Sequence, residues 1–267
     1  MSSFQKVIKY IAISLAMFII FNIISLLING VSFISGGFSK GNLNGLNKVD
    51  VGNKYEVLDI ELTAVNIFIK EGKKFKIETD SDNLNIKEVG NKLLIIDKKT
   101  GWLPKKAEND LVIYVPKDYI FDEVLIENGV GRLDVDYLNA KELELELGAG
   151  QVNLNRLNVV NFTSIDSGAG EVVIKAGSVN NLDLDMGIGK VKLNLEVIGN
   201  SEIDAGIGEL NLVLLGNDED YKINVDKGIG NVEINGESVD AETTVGNGDN
   251  IIDIDGGVGN INVDFRK

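Results

Sequence analysis

The chain has no cysteine and no histidine among its 267 residues. Each absence removes a class of chemistry. Without cysteine there is no disulfide framework, and without both residues there is no ordinary zinc centre. Without histidine there is neither a Ser-His-Asp triad nor an imidazole general base. An oxidising exterior remains open to the chain, and about 230 residues beyond its apolar N-terminal run suffice for one elongated domain without covalent staples.

Positive charge is also short, 26 Lys plus Arg standing against 41 Asp plus Glu for a net charge of −15. The deficit is uneven. Residues 35–106 hold 13 basic and 10 acidic side chains, whereas 107–267 hold 11 and 31. The distal part therefore repels nucleic acid and other polyanions. A mildly basic half beside anionic headgroups would help a rod stand with its acidic end outward, although solubility alone accounts equally well for surface acidity.

One long apolar run is present, at 10–34, with no charged residue and Lys6 and Lys9 ahead of it. Its length fits a bilayer-crossing helix and exceeds the apolar region of a signal peptide. The expected layout is a cytoplasmic tail at 1–9, a retained transmembrane helix at 10–34 and an extracytoplasmic remainder, so the protein would sit as a single-pass protein in the plasma membrane. Asn22 lies within the run; the favoured reading is an isolated amide tolerated in a single-span anchor, and the alternative is a hydrogen bond to a neighbouring helix that helps recruit a partner. Residues 35–54, rich in Gly, Asn, Ser and Lys, read as a flexible stalk.

Beyond 122 the chain repeats itself. Gly-x-Gly occurs at Gly129 and Gly131, Gly148 and Gly150, Gly168 and Gly170, Gly187 and Gly189, Gly206 and Gly208, Gly228 and Gly230, and Gly257 and Gly259. Counted from the first glycine, position −3 is always aliphatic, as are +4 and +6. Both flanks alternate with the period of a strand, but the inward parity changes across the glycines, so the chain must turn a corner there. Glycines suit that corner, and the middle residue, always Val, Ala or Ile, is expected to point inward. A second corner is expected where Ala140, Val159, Val179 and Ile198 form another column. A period near 20 residues means stacked supersecondary units. The fold class that follows is all-β: a single-stranded parallel β-solenoid, taken as a right-handed β-helix, with irregular coils at 55–122 and regular ones at 123–267.

Two other uses of glycine fail. No repeat continues as Gly-x-Gly-x-x-Gly into a helix, as a dinucleotide fingerprint would. The calcium-binding nonapeptide comes nearest at 256–263, where its ligand slot is Ile261.

The run 111–116, Leu-Val-Ile-Tyr-Val-Pro, followed by the iterated glycine units, resembles the bacterial DUF4097 "putative adhesin" family over roughly 55–265. The resemblance implies a β-solenoid, commonly extracytoplasmic, with a layout similar to membrane-anchored LiaG-like proteins that sit beside envelope-stress regulators. It brings no catalytic residue.

Position −2 is acidic in every repeat: Glu127, Glu146, Asp166, Asp185, Asp204, Asp226 and Asp255. In-register stacking would set these carboxylates about 4.8 Å apart, a repulsion of about 1 kcal/mol per neighbouring pair even in water. The favoured reading is that each accepts N–H bonds from its own glycine turn. The alternative is a ladder of weak divalent-cation sites. Trp102, within Gly-Trp-Leu-Pro-Lys-Lys at 101–106, is read as part of a side cap, with contact to an interface or glycan as the alternative.

The expected function is a membrane-anchored binding or scaffolding module of the bacterial envelope with an envelope protein or glycan as partner. No cofactor, resident metal or catalytic residue is expected, and the sequence leaves oligomeric state open. The competing reading is a carbohydrate-active β-helix enzyme, which would need two carboxylates flanking a cleft.

Overall fold

In a computed structural model each Gly-x-Gly segment lies inside a continuous strand, except at Gly228, where the strand is interrupted. The structure describes residues 46–52, 54–97, 109–239 and 242–266. The chain divides into two units, Met1–Lys40 and Gly41–Lys267, and all described residues belong to the second. The expected membrane span at 10–34, with Lys6, Lys9 and Asn22, lies outside the described residues, as does Trp102. Among the described residues no helix is long and apolar enough to cross a membrane.

The strands are β1 (Asn47–Val49), β2 (Val57–Gly72), β3 (Lys76–Thr79), β4 (Leu84–Val89), β5 (Lys92–Asp97), β6 (Asn109–Pro116), β7 (Ile120–Val135), β8 (Leu138–Leu154), β9 (Leu157–Ile174), β10 (Gly177–Asn180), β11 (Leu182–Ile198), β12 (Asn200–Leu215), β13 (Tyr221–Asp226), β14 (Ile229–Ile234), β15 (Glu237–Ser238), β16 (Glu242–Gly246) and β17 (Asn250–Arg266). β7, β8, β9, β11 and β12 stack in that order as parallel rungs, each glycine on the equivalent glycine of the next. Equivalent residues therefore superpose. All seven side chains at −3, +4 and +6, such as Leu184, Val191 and Leu193, are buried in one core. The solenoid register read from the alternation is the observed one.

Rung order departs from chain order at both ends. β12 is followed in space by β17, and the half-rungs β13 and β14 lie on the far side of β17. The chain thus skips a level, builds the last rung and returns to fill the gap, which accounts for the looser glycine spacing after Gly206. At the other end β2 lies between β7 and the rung made by β5 and β6. The stretch 55–122 is therefore not a run of early coils in sequence order. It supplies two rungs and a cap.

Short antiparallel strands close both ends. β4 lies on β5 and β3 on β6, with β1 on β3. β16 lies on β13 and β15 on β14. Brief antiparallel edges of this kind discourage further strand addition. Because β1 is paired, the stalk expectation fails at 47–49. Aromatics plug the core at each end: Tyr55, Phe75, Tyr119 and Phe121 meet edge to face, and Tyr221 lies against Phe265. Burial, reinforced by Glu88, pushes the Tyr55 hydroxyl up to about 12.

The third face is short. Ala140, Val159 and Val179 form the expected column, but it continues through Val197, because Val179 pairs with Val197 while Ile198 aligns with Asn180. One extra residue in β9 is absorbed between the pairings Ala140 with Val159 and Glu142 with Phe162, leaving Val160 exposed.

At the corner the rungs meet backbone to backbone. A Cβ on Gly150, Gly170, Gly189, Gly208 or Gly259 would lie 1.8 Å from the carbonyl oxygen of the glycine stacked on it, and φ there is +146° to +156°. Both the space and the backbone conformation exclude a side chain. The Cβ would always point at the preceding rung in the stack: Gly259 meets Gly208, and Gly230 meets Gly259. On that side β2 meets the rung of β5 and β6, whose residues 98–108 lie outside those described, and Thr63, Ala64 and Val65 stand where later rungs have Gly-x-Gly. The glycine requirement follows spatial order.

Gly208→Ala is therefore expected to abolish cooperative melting of the full-length protein followed by circular dichroism. Gly236→Ala has φ +74° but nothing within 4 Å of the new Cβ, and should cost only about 1 kcal/mol. Equal effects of the two would show that left-handed backbone, not rung contact, sets the requirement.

Candidate functional site

Strand alternation turns positions −2, −4 and −6 outward on the face that precedes the corner. The register stacks Glu127, Glu146, Asp166, Asp185, Asp204 and Asp255 directly, with Asp226 beyond Asp255. All seven are exposed. β2 adds Glu61, which pairs with Glu127. Sequence reasoning missed Glu61 because no glycine follows it. The signal that could have found it is the acidic residue two places before Thr63, in a strand otherwise patterned like the repeats.

Position −4 extends the charge with Asp59, Glu144, Asp183, Glu202 and Asp253, and position −6 adds Glu123 and Glu142. From β2 to β17 these three columns contain no lysine or arginine. Lys92 stands at one end, bonded to Asp59 at 2.8 Å, and Lys222 at the other.

None of the carboxylates at −2 accepts a hydrogen bond from a described residue, so the expected turn-amide role fails. The reason is geometric. The strand runs on through the corner, and its backbone pairs with the neighbouring rungs, as Gly189 does with Gly170 and Gly208. No free Asx-turn is left for the side chain to close. Among the described residues no hydrogen bond or ion pair to these carboxylates then offsets the stacking repulsion. At Asp204 the carboxyl, exposed as a residue but partly desolvated by its neighbours, is raised above its ordinary 3.8 by that desolvation first, and further by Asp255, Asp185 and Asp183.

The outer face beyond the corner is built differently. Lys190 meets Glu209 at 2.7 Å and Lys192 meets Glu171 at 3.1 Å. The amide of Asn153 donates to Asp134, and that of Asn262 donates to Asn211. Here charge is matched from rung to rung.

The middle residues of Gly-x-Gly point out, not in. Ile229 is 74% exposed, Ile207 49% and Val258 46%, while Val130, Ala149, Ala169 and Ile188 are half-buried. The side chain before the first glycine takes the inward place instead, as Asn128, Met186 and Ala205 show. The change of parity falls between these positions, at the first glycine, so alternation carried forward from −3 and −1 does not reach the middle residue.

Chemically, the acidic face offers rows of single carboxylates over shallow, open grooves. One of about 260 Å³ is lined by Asp59, Glu61, Glu127, Glu144 and Glu146. Another of about 280 Å³ runs past Glu127, Glu146 and Asp166. The tightest grouping is Glu202, Asp204 and Asp255, whose nearest oxygens lie within 4.8 Å of one another. Those three could supply part of a calcium shell, which takes six to eight oxygens.

The family model described as Toastrack DUF4097 matches residues 55–263. The chain belongs to this family. Among solved structures, one described as a putative adhesin from Bacteroides fragilis aligns at a TM-score of 0.56 with 16% identity, over 85% of this chain and all of that one. A structure described as a putative lipid binding protein from Parabacteroides distasonis aligns at 0.42 with 15% identity, over 84% and 98%. No curated protein matches the chain. At this identity the Bacteroides likeness is one of fold, and it agrees with the Toastrack rung stack.

The raised carboxyl of Asp204 fixes the sign of a test. A carboxylate whose folded value lies above its unfolded value destabilises the fold once it is ionised, and this penalty is absent below the unfolded value. Asp204→Asn should therefore raise the melting temperature at pH 7, and the gain should vanish below pH 3.8, the ordinary value. Destabilisation at pH 7 would show that the carboxylate has a bonding partner after all.

Proposed function

We propose that this Toastrack protein is a membrane-anchored, extracytoplasmic binding or scaffolding module of the bacterial cell envelope. The observation that carries this reading is the acidic face between β2 and β17, its carboxylates exposed except at Asp59 and Glu123, without lysine or arginine in its three columns, and displayed on a stack closed at both ends. Closure of this kind discourages recruitment of partners by strand addition and leaves the broad outer faces as the main surface. The uncharged run at 10–34 supports the anchor, and Lys6 and Lys9 support a cytoplasmic N-terminus. An acidic display does not suit nucleic acid or anionic envelope polymers, and favours a protein partner with basic groups.

A non-catalytic role is part of the reading. The grooves are open, the carboxylates stand in rows on a sheet instead of on opposite walls of a cleft, and histidine and cysteine are absent. A glycosidase needs a substrate held between its two acids.

A reporter that works only outside the cytoplasm, fused after Lys267, is expected to be active, with the protein retained in the membrane fraction at full length. Activity of a cytoplasm-only reporter at that position would overturn the topology, and release of a shortened soluble form would replace the anchor with a cleaved signal. In intact cells, carbodiimide coupling of carboxylates to amines should join Glu144, Asp183 or Glu202 to a second protein.

A further inference from the structure

The corner carries a second surface beside the acidic one. Ile188, Ile207, Val258 and Ile229 follow one another in consecutive rungs, each paired with the next. At about 4.8 Å per rung they form an aliphatic ridge about 14 Å long. Scattered exposed aliphatics are ordinary on a protein surface, but a contiguous row of branched ones is not. The row is also confined to one end, since the same column reads Val130, Ala149 and Ala169 in the earlier rungs. Neither the rung ladder nor the antiparallel caps cover the exposed members Ile207, Val258 and Ile229.

Charge decides what would cover it. Along one flank runs the −2 column, three residues away on the same strands and including the tight grouping at Asp204 and Asp255. On the other flank Lys190 is already matched by Glu209, and the single Lys227 between Asp226 and Ile229 leaves the flank of Asp185, Asp204, Asp255 and Asp226 net negative. A second copy of this chain would bring the same acidic face against this one, and an anionic lipid surface would be repelled likewise. A segment with basic groups would be attracted to the carboxylate flank while its apolar side chains cover the ridge.

We propose that the ridge of Ile188, Ile207, Val258 and Ile229, with the carboxylate column beside it, docks a polypeptide segment in which lysine or arginine alternates with aliphatic or aromatic side chains. This docking surface rests on the binding-module reading above and names its partner's chemistry. The two fail separately, because docking is measured on purified protein and topology in cells.

The test titrates purified full-length protein with three short fluorescent peptides of equal length, alternating Lys with Leu, Lys with Ser, and Glu with Leu. The Lys-Leu peptide is expected to bind at least about tenfold more tightly than Lys-Ser, a difference of about 1.4 kcal/mol. Ile207→Ser with Ile229→Ser should remove most of that advantage and leave Lys-Ser binding unchanged. Asp204→Asn with Asp255→Asn should weaken both basic peptides, as should added salt. Circular dichroism of each variant, whose changed side chains are exposed, establishes that the fold is retained. Equal binding of Lys-Leu and Lys-Ser, or undiminished Lys-Leu binding by the ridge variant, would overturn the ridge. Equal binding of Glu-Leu would overturn the role of charge. Self-association, or attachment to anionic vesicles, that the ridge variant loses would assign the surface to a second copy or to lipid and overturn the proposed partner.

Discussion

Backbone contact between stacked glycines at the corner is the constraint on which the rest of the structure depends. With a carbonyl oxygen occupying the space of a missing Cβ, as Gly170 does over Gly189, no rung can slip by one residue without driving a side chain into its neighbour's backbone. Register is thereby locked at one point per rung, and every other column inherits it. The aliphatics at −3, +4 and +6 then align into a continuous core, which is how strands too short to bury a face singly become stable. The same lock aligns the carboxylates at −2. Core order and charge crowding are two outcomes of one geometric condition.

That condition also explains how the stack can begin and end. Each Cβ would point at the preceding rung in space, so the glycine at a corner answers to its spatial neighbour and not to chain order, as Gly230 does to Gly259 and Gly259 to Gly208. Each end inserts one rung out of chain order, β2 at one and β17 at the other, and then lays antiparallel strands across the exposed ladder. Only a stack whose last rungs are tied to both neighbours resists fraying at the ends, where a solenoid is weakest.

Most of the repeat was legible in the sequence because its signals are local. The apolar residues two and three places from each corner, such as Ile165 and Val172, gave the register, and the glycines gave the corner. What was not legible is non-local or directional. The detour through β13 to β16 left only looser spacing after Gly206, which does not say which rung lies against which. Glu61 belongs to the acidic column through its pairing with Glu127, a relation of residues far apart in the chain. The outward turn of Ile207 and Ile229 depends on where within Gly-x-Gly the parity changes, and either glycine could have carried it. The carboxylates had no turn amides to accept because the corner was a bend in a strand and not a loop.

The contrast between the two outer faces bears most directly on function. Lys190 with Glu209 and Lys192 with Glu171 show that this rung spacing accommodates matched charges readily. The absence of lysine and arginine from the acidic columns is therefore not imposed by the architecture. Solubility asks for net charge, but it does not ask for the same sign at the same place in consecutive rungs, where the repulsion is largest. A substitution to Asn, Ser or Lys at any one rung would relieve that repulsion without touching the core, since the side chains already face solvent. At Asp204, where burial and three neighbouring carboxylates raise the carboxyl, so simple a remedy is open and unused, which supports the proposal that the charge is used and that the aliphatic ridge along its edge is the non-ionic half of the proposed interface.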